Sequence, residues 1–477
     1  MLTKIVTAGG QLKSFELASQ MLQQLAEFTI SDRHVGRLTE EIGAELRATR
    51  DKQAAGLPPE RTRDQRPGAA PAAVAVEVDG GRMHLRAEGH GPGIHQPHWK
   101  EDKIACLLTL DSQQFTTDPH PEPPRCFLDR KRVFRLVREI SSQRGASGEA
   151  AGEAVVLPAA VSCGTDEAAD ATDTAAAAVG VPGELPCSVP VGERAVLMPS
   201  SDLFEVRVQL PVVRVPVSAL DRAPTAAAAA TNAPQTSTPP GEPKWHPRRR
   251  LRTCVATIDP SDGFGKLVAA EAYQRNFYTS PRRAFVADGQ KYNWTIHARH
   301  FSDFVDIADF AHVLTYVFAA AYGVGVDGEV RWRTYARWMT ACWQGRVAQV
   351  IDELEAWGSQ QPGLDLPVKP SSSDPREIVR KTLTYLRNNR ERMDYPRYRR
   401  EGLPCMSAWM ESLVKEFNYR VKGSEKFWNH GSNAENILQV RAAVLSEDGR
   451  LQKHMRDRPG SAFRRYRRKQ SGAKVAA

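Results

Sequence analysis

A long segment rich in Ala, Pro, Thr and Gly, residues 113–243, separates two groups of strand-like sequence. Runs such as TDTAAAAVG and APTAAAAATNAPQTSTPPGEP cannot bury enough apolar surface to offset the entropy lost on ordering the chain. We therefore predict a largely low-complexity or disordered insertion, with one helix in its first part from Arg130 to Ile140.

Before the insertion, alternating apolar residues predict strands. The valines of PAAVAVEVDGG predict a strand that ends at Asp79 and enters a tight turn at Gly80–Gly81. Alternation resumes in RMHLR, which predicts a hairpin. HWKEDKIACLLTL then supplies another strand around residues 104–110.

After the insertion, RRRLRTCVATID predicts a strand and SDGFGKLVAAEAYQRNF an amphipathic helix. RAFVADGQ predicts a strand ending at Asp288, and FVDIADF another short strand. A helix-rich region follows from His312 to about Val421, and NAENILQVRAAVL predicts a final helix. Strands and helices in this order indicate an α/β fold.

Residues 14–48 show apolar residues at helical spacing on either side of the short break FTIS. Ser31 or Asp32 can cap the second helix. As a helix-turn-helix, this module would place Arg33, His34 and Arg37 toward a DNA groove. An ordinary helical hairpin packed on the core is the alternative. Residues 49–70, rich in Arg, Pro, Gly and Ala, predict a linker.

Composition narrows the class of protein. The chain has 477 residues, more than one core usually holds, and a net charge of +9, which favours a polyanionic partner. It lacks both the ~18-residue apolar stretch of a membrane span and a secretion signal. Its seven cysteines are scattered singly, which argues against disulfides and zinc ribbons. We predict a cytoplasmic, nucleoid-associated protein.

Three acids occupy positions suited to phosphodiester chemistry. Two metal ions ~3.5–4 Å apart need carboxylates that converge from separate elements. Asp79 and Asp288 each end a predicted strand, and Glu435 lies on the last predicted helix. Magnesium suits such oxygen ligands, and manganese is expected to substitute. Taken singly, each Asp can instead be a turn former and Glu435 a solvated residue of a helix start.

Several segments resemble the blocks of bacterial insertion-sequence transposases of the Kra type, which are related to the Mutator-like superfamily. These segments are VEVDGGRMHLR, HWKEDKIACLLTL, FVADGQKYNW, IADFAHVLTYVFAAA and WNHGSNAENILQVRA. The resemblance implies a ribonuclease-H-like mixed sheet with an all-helical insertion. It also implies a DDE triad at Asp79, Asp288 and Glu435.

The same resemblance singles out DFAH, with Asp309 and His312 beside the active site. Asp309 can equally cap the helix that begins there. It is also the alternative to Asp288 as second catalytic acid, and we prefer Asp288 for its position at a strand end.

Two basic runs are predicted to contact the DNA backbone: Arg248, Arg249 and Arg250, and Arg464 and Arg465 in the tail. Solvated charge runs are the alternative. Aromatic residues among the arginines of 331–346 can stack on bases or pack in a helical core.

These observations predict a DNA transposase that cleaves transposon ends and transfers them to target DNA. Its expected partners are double-stranded DNA, both terminal repeats and target, and further copies of itself in a dimer or larger assembly. The alternatives are a nuclease without strand transfer and a catalytically silent DNA-binding regulator. The predicted regions are an N-terminal helical DNA-binding module (1–60), the catalytic core (72–112 and 244–312), the insertion (113–243), a helical insertion (313–430), the helix of the third acid (431–450) and a basic tail (451–477).

Overall fold

The computed structural model describes residues 1–86, 98–145, 246–360, 371, 373–422 and 427–458. All of them belong to one compact unit. Most of the predicted insertion lies outside the described residues, and so do Arg464 and Arg465. No helix in the described ranges combines the length and the apolar character needed to cross a membrane.

Three helices form the N-terminal part: α1 (Leu2–Gln11), α2 (Phe15–Ala26) and α3 (Asp32–Ala55). The Ser31 hydroxyl accepts a hydrogen bond from the His34 N–H at 3.3 Å, so Ser31 caps α3 as predicted. Good helix formers in RATRDKQAA extend α3 to Ala55. The linker predicted from residue 49 therefore begins too early. The helix α1 was not predicted.

Five strands form one mixed sheet: β1 (Ala73–Leu85), β2 (His98–Asp111), β3 (Arg248–Thr257), β4 (Arg283–Ala287) and β5 (Val305–Ala308). Their order is β3-β2-β1-β4-β5. β2 is antiparallel to β1 and β3, whereas β4 is parallel to both β1 and β5. Strands from both sides of the predicted insertion thus share one sheet.

The predicted tight turn at Gly80–Gly81 is wrong, because β1 runs straight through both glycines. Gly81 pairs with Asp102 of β2. A Cβ atom on Gly81 would lie 2.9 Å from both carboxylate oxygens of Asp102. The glycine therefore makes room for an acidic side chain and does not reverse the chain.

Part of the predicted insertion packs on the core. The helix α4 (Arg130–Gly145) confirms the helix expected from residue 130 and continues beyond residue 140. Its Val133 and Val137 are buried in the main apolar core, and its Ile140 is also buried. This core also contains Ala73 and Ala75 of β1.

The opposite face of β1 carries its valines. Val74, Val76 and Val78 pack with α5 (Ser261–Gln274) and α6 (Lys291–His300). The alternation of buried residues along β1 therefore serves two cores, one on each side of the sheet. The helix α5 was predicted and α6 was not.

The region predicted as a helical insertion is helical in its described residues, which form α7 (Phe310–Val324), α8 (Gly328–Trp343), α9 (Val347–Ser359), α10 (Pro375–Asn389), α11 (Tyr395–Glu401) and α12 (Ala408–Val421). Tyr335, Trp338 and Trp343 are buried in its core. These three aromatic residues therefore pack in a helical core, which was the alternative interpretation, and they are too buried to stack on bases.

The helix predicted to carry the third acid is α13 (Gly431–Leu445), and α14 (Arg450–Asp457) follows it. α13 packs against β3 and α3. A Cβ atom on Gly43 of α3 would lie 2.2 Å from the Asn436 carbonyl oxygen, so the two helix backbones are in direct contact. The N-terminal helices therefore pack on the core.

Candidate active site

Three aspartates follow three aligned residues of neighbouring strands. Val78 of β1 pairs with Ala287 of β4, and Ala287 pairs with Ala308 of β5. The residues that follow them are Asp79, Asp288 and Asp309. Because the three strands are parallel and neighbouring strands lie ~4.8 Å apart, these aspartates stand side by side across the sheet.

Asp79 lies within β1, opposite Ile104 of β2, and is partly exposed. Its Oδ1 accepts a hydrogen bond from the Gly80 N–H at 2.7 Å. Alternation along the strand places Asp79 on the face of Ala75, where the main core and α12 lie. The side chain thus remains accessible beside α12.

Asp288 is almost fully buried and is held by three hydrogen bonds. Its Oδ1 accepts from the Gln290 N–H at 3.0 Å and from Asn293 Nδ2 at 2.9 Å, and its Oδ2 accepts from Gln290 Nε2 at 2.9 Å. Gly289 has a φ of +95°, a conformation that favours glycine and lets the chain turn from β4 into α6. These donors fix the orientation of the carboxylate.

Asp309 caps α7, as the sequence indicated. Its Oδ1 accepts from the Ala311 N–H at 3.0 Å, and its Oδ2 accepts from His312 Nδ1 at 3.0 Å and from the Ser407 hydroxyl. Burial opposes ionisation, but the hydrogen bonds from His312 and Ser407 bring the pKa of Asp309 below its usual value. Asp309 is therefore an anion that fixes the His312 ring.

Glu435 lies elsewhere along the sheet. Its Oε1 accepts from Arg50 Nη1 at 2.5 Å and from Thr257 Oγ1 and Gln439 Nε2, each at 2.9 Å. Its Oε2 accepts from the Ile258 N–H at 2.9 Å. Thr257 ends β3, which is separated from β1 by β2. The structure thus brings Asp79 and Asp288 together but holds Glu435 in an ion pair two strands away from Asp79.

Three further acids beside Asp79 were not predicted: Glu77, Asp102 and Glu411. Glu77 precedes Asp79 on the same strand face and is fully buried. Burial, together with the charge of Asp309, raises the pKa of Glu77 well above its usual value. For Glu411 on α12, burial and the nearby charges of Asp309 and Asp79 raise the pKa to about 7. The interior of the sheet face around Asp79 is thus acidic.

Asp102 is fully buried, and among the described residues neither of its carboxylate oxygens has a hydrogen-bond partner. Burial raises the pKa of Asp102 from 3.8 to about 7. An acid whose pKa is higher in the folded state stabilises the fold most below its unfolded pKa. That contribution disappears as the pH rises from about 4 to about 7.

We therefore expect Asp102→Asn to flatten the pH dependence of stability. Above pH 7 the variant should be more stable than wild type by about 4 kcal/mol, whereas near pH 4 the two should be similar. Urea unfolding across this range measures the difference. Asp262→Asn, an exposed substitution on α5, is the control. If the free energy of unfolding depends on pH in the same way for wild type and Asp102→Asn, the raised pKa assigned to Asp102 is contradicted.

The predicted DNA-contacting residues are in part accessible. Arg33, His34 and Arg37 are exposed at the start of α3, where Arg37 Nη2 lies 3.0 Å from His34 Nε2. At the start of β3, Arg249 pairs with Glu447 at 2.9 Å and Arg250 with Asp111 at 3.0 Å; Arg248 is exposed. Two of these three arginines are thus neutralised within the chain.

The predicted triad does not form one metal-binding group. In the described ranges, no three His, Cys, Asp or Glu side chains are arranged to hold a metal ion. Asp79 and Asp288 offer the oxygen ligands that Mg²⁺ prefers. Glu435 does not join them, because it lies two strands from Asp79 and its charge is paired with that of Arg50. The pair fits a divalent cation, but the full triad in this arrangement does not.

Comparison of the chain with protein-family models, with curated protein sequences and with solved structures finds no match. The interpretation of this site therefore depends on its own geometry.

Proposed function

We propose that this protein is a DNA transposase of the DDE type, which cleaves the ends of a mobile element and joins them to target DNA. The alignment of Asp79 with Asp288 carries the proposal. Two carboxylates on adjacent parallel strands can converge on one scissile phosphate. Few structural roles explain a partly exposed and a buried aspartate placed side by side in this way.

We also propose that the sheet belongs to the ribonuclease-H-like class. The strand arrangement supports this assignment. Three antiparallel strands are followed by two strands parallel to the first, and the order in the sheet is β3-β2-β1-β4-β5. The helical block between β5 and α13 agrees with the predicted helical insertion.

In this proposal Asp288 has a fixed orientation because three hydrogen bonds hold it, and Asp79 is the carboxylate that the DNA can reach. Asp309 positions His312 through Nδ1. A bound Mg²⁺ would supply Lewis acidity toward the phosphate, with Asp79 and Asp288 as its protein ligands. Mn²⁺ is proposed to replace it.

The partner is proposed to be double-stranded DNA. Two exposed groups can contact phosphates: the side chains at the start of α3, and Arg248 at the start of β3. Because two transposon ends must be held together for joining, we propose that the active form is a dimer or larger assembly, located at the nucleoid.

Strand cleavage and joining on labelled DNA that carries the element's own terminal sequences tests this function. Wild type with Mg²⁺ should yield joined products. Asp309→Asn should retain partial activity, because Asp309 acts through His312, and its pH profile should shift. If Asp309→Asn is inactive while Asp288→Asn still reacts, Asp309 is the second catalytic acid.

The ion pair between Arg50 and Glu435 favours one alternative, a catalytically silent DNA-binding regulator. In such a protein Glu435 would be structural only. Wild type that binds the terminal DNA but neither nicks nor joins it would favour that alternative. Cleavage without any joined product would favour a nuclease.

A further inference from the structure

Two strands extend beyond the rest of the sheet. The last pair between β3 and β2 joins Thr257 to Lys103, and the last pair between β4 and β1 joins Ala287 to Val78. Beyond these pairs β1 and β2 continue to pair with each other by backbone hydrogen bonds, up to Leu85 opposite His98. We call residues 81–85 and 98–102 the two-stranded arm. Asp79 lies at its base.

A group of ring and cationic side chains lies at the end of the arm, and we call it the aromatic patch. It consists of His84 and Trp99 on the arm, Arg86 directly after it, and Phe427 from a separate segment. His84 pairs with Trp99 across the strands, and their rings are stacked with centroids 4.9 Å apart. Phe427 meets the His84 ring edge-on at 6.1 Å. The Arg86 guanidinium lies 4.9 Å from the centroid of the Phe427 ring.

The chain presents two of these rings to solvent. Trp99 is 38% exposed and Phe427 is 48% exposed. Two backbone hydrogen bonds of 2.9 Å join the segment of Phe427 and Trp428 to β1. The Trp428 N–H donates to the His84 carbonyl, and the Arg86 N–H donates to the Trp428 carbonyl. Trp428 is anchored by Nε1 donating to the Val421 carbonyl at 3.1 Å. Because extended backbone alternates its side chains, the anchored Trp428 leaves Phe427 pointing outward.

Positive charge lies close to these rings. The Arg86 guanidinium lies over Phe427, and the exposed Lys100 follows Trp99 on β2. Aromatic faces next to cations suit the unpaired nucleotides of a single strand, whose bases stack and whose phosphates need positive charge. Paired bases in a duplex offer no free face for such stacking.

We propose that the aromatic patch binds unpaired nucleotides of a DNA strand. The identity of this partner as DNA rests on the proposed function. His84 lies five residues from Asp79 along β1, which is ~16 Å in an extended strand. Phe427 lies four residues before Gly431, where the helix of Glu435 begins. The patch is thus near two of the candidate acids along the chain, and the odd separation of His84 from Asp79 places their side chains on opposite faces of β1.

The test measures binding of a fluorescein-labelled oligothymidylate to the full chain by anisotropy, without divalent cations. Trp99→Ala and Phe427→Ala should each weaken binding about tenfold, and the double variant should weaken it further. Trp99→Phe keeps a ring and should bind within about threefold of wild type. Leu128→Ala, an exposed apolar substitution on another segment, should have no effect. Circular dichroism and thermal melting confirm that each variant folds.

Duplex DNA of matched length supplies the second comparison, and Trp99→Ala should leave its binding unchanged. Equal losses for single strand and duplex, or wild-type affinity in both alanine variants, would overturn the proposal. Tighter binding of oligouridylate than of oligothymidylate would overturn the assignment to DNA. Because this assay measures binding and no reaction takes place, a catalytically inactive protein can still bind the oligonucleotide. The proposal on the aromatic patch and the proposed transposase activity can therefore fail separately.

Discussion

Asp79→Asn should lower the rate of DNA strand cleavage by at least ~10³-fold while the protein stays folded and still binds DNA. The substitution keeps the size of the side chain and removes its charge beside Asp288. Asp79 is partly exposed, and asparagine has nearly the same shape, so we expect little loss of stability. A loss of activity is therefore attributable to chemistry.

Cleavage rates, thermal midpoints and DNA affinities measured on the same preparations check this prediction. Asp262→Asn removes an exposed carboxylate outside the aligned row and should be as active as wild type. Asp79→Asn with activity within about tenfold of wild type would show that Asp79 is not catalytic.

Arg50→Met should destabilise the fold by about 3–5 kcal/mol, because it leaves the Glu435 carboxylate buried without its cation. The two side chains are 11% and 2% exposed and their atoms lie 2.5 Å apart. Arg50→Met combined with Glu435→Gln should recover part of the loss, since a neutral amide tolerates burial better. Arg47→Met, in an exposed pair on the same helix, should cost less than about 1 kcal/mol.

Urea unfolding of the four proteins measures this coupling. If Arg50→Met and Arg47→Met cost the same, the ion pair contributes little, and Glu435 is free to leave β3. If Arg50→Met is strongly destabilised, any role of Glu435 in catalysis requires replacement of Arg50 by another positive charge at the site.

Local sequence patterns predicted the elements that carry the acids. Apolar sequence identified β1, β2 and β4, and helical spacing identified α5 and α13, because each of these elements is largely buried. The sequence also predicted that Asp288 ends a strand and that Asp309 caps a helix. Both properties depend on residues within a few positions of the acid.

Features that depend on distant residues were missed. A glycine pair after a strand ordinarily signals a turn, but here Gly81 faces Asp102 from the neighbouring strand. Arg50 and Glu435 are 385 residues apart in sequence, so no local pattern could join them. The aromatic patch was missed for the same reason, because His84, Trp99 and Phe427 lie in three separate segments.

The most direct test of the aligned pair compares Asp79→Cys and Asp288→Cys with wild type in Mg²⁺ and in Mn²⁺. A thiolate binds Mg²⁺ poorly and accepts Mn²⁺ more readily. If both residues are metal ligands in DNA cleavage, both variants should be inactive with Mg²⁺ and regain activity with Mn²⁺, while Asp79→Asn and Asp288→Asn stay inactive with either ion. Cysteine variants that are active with Mg²⁺, or that Mn²⁺ leaves inactive while wild type reacts, would contradict the assignment of Asp79 and Asp288 as the reactive pair.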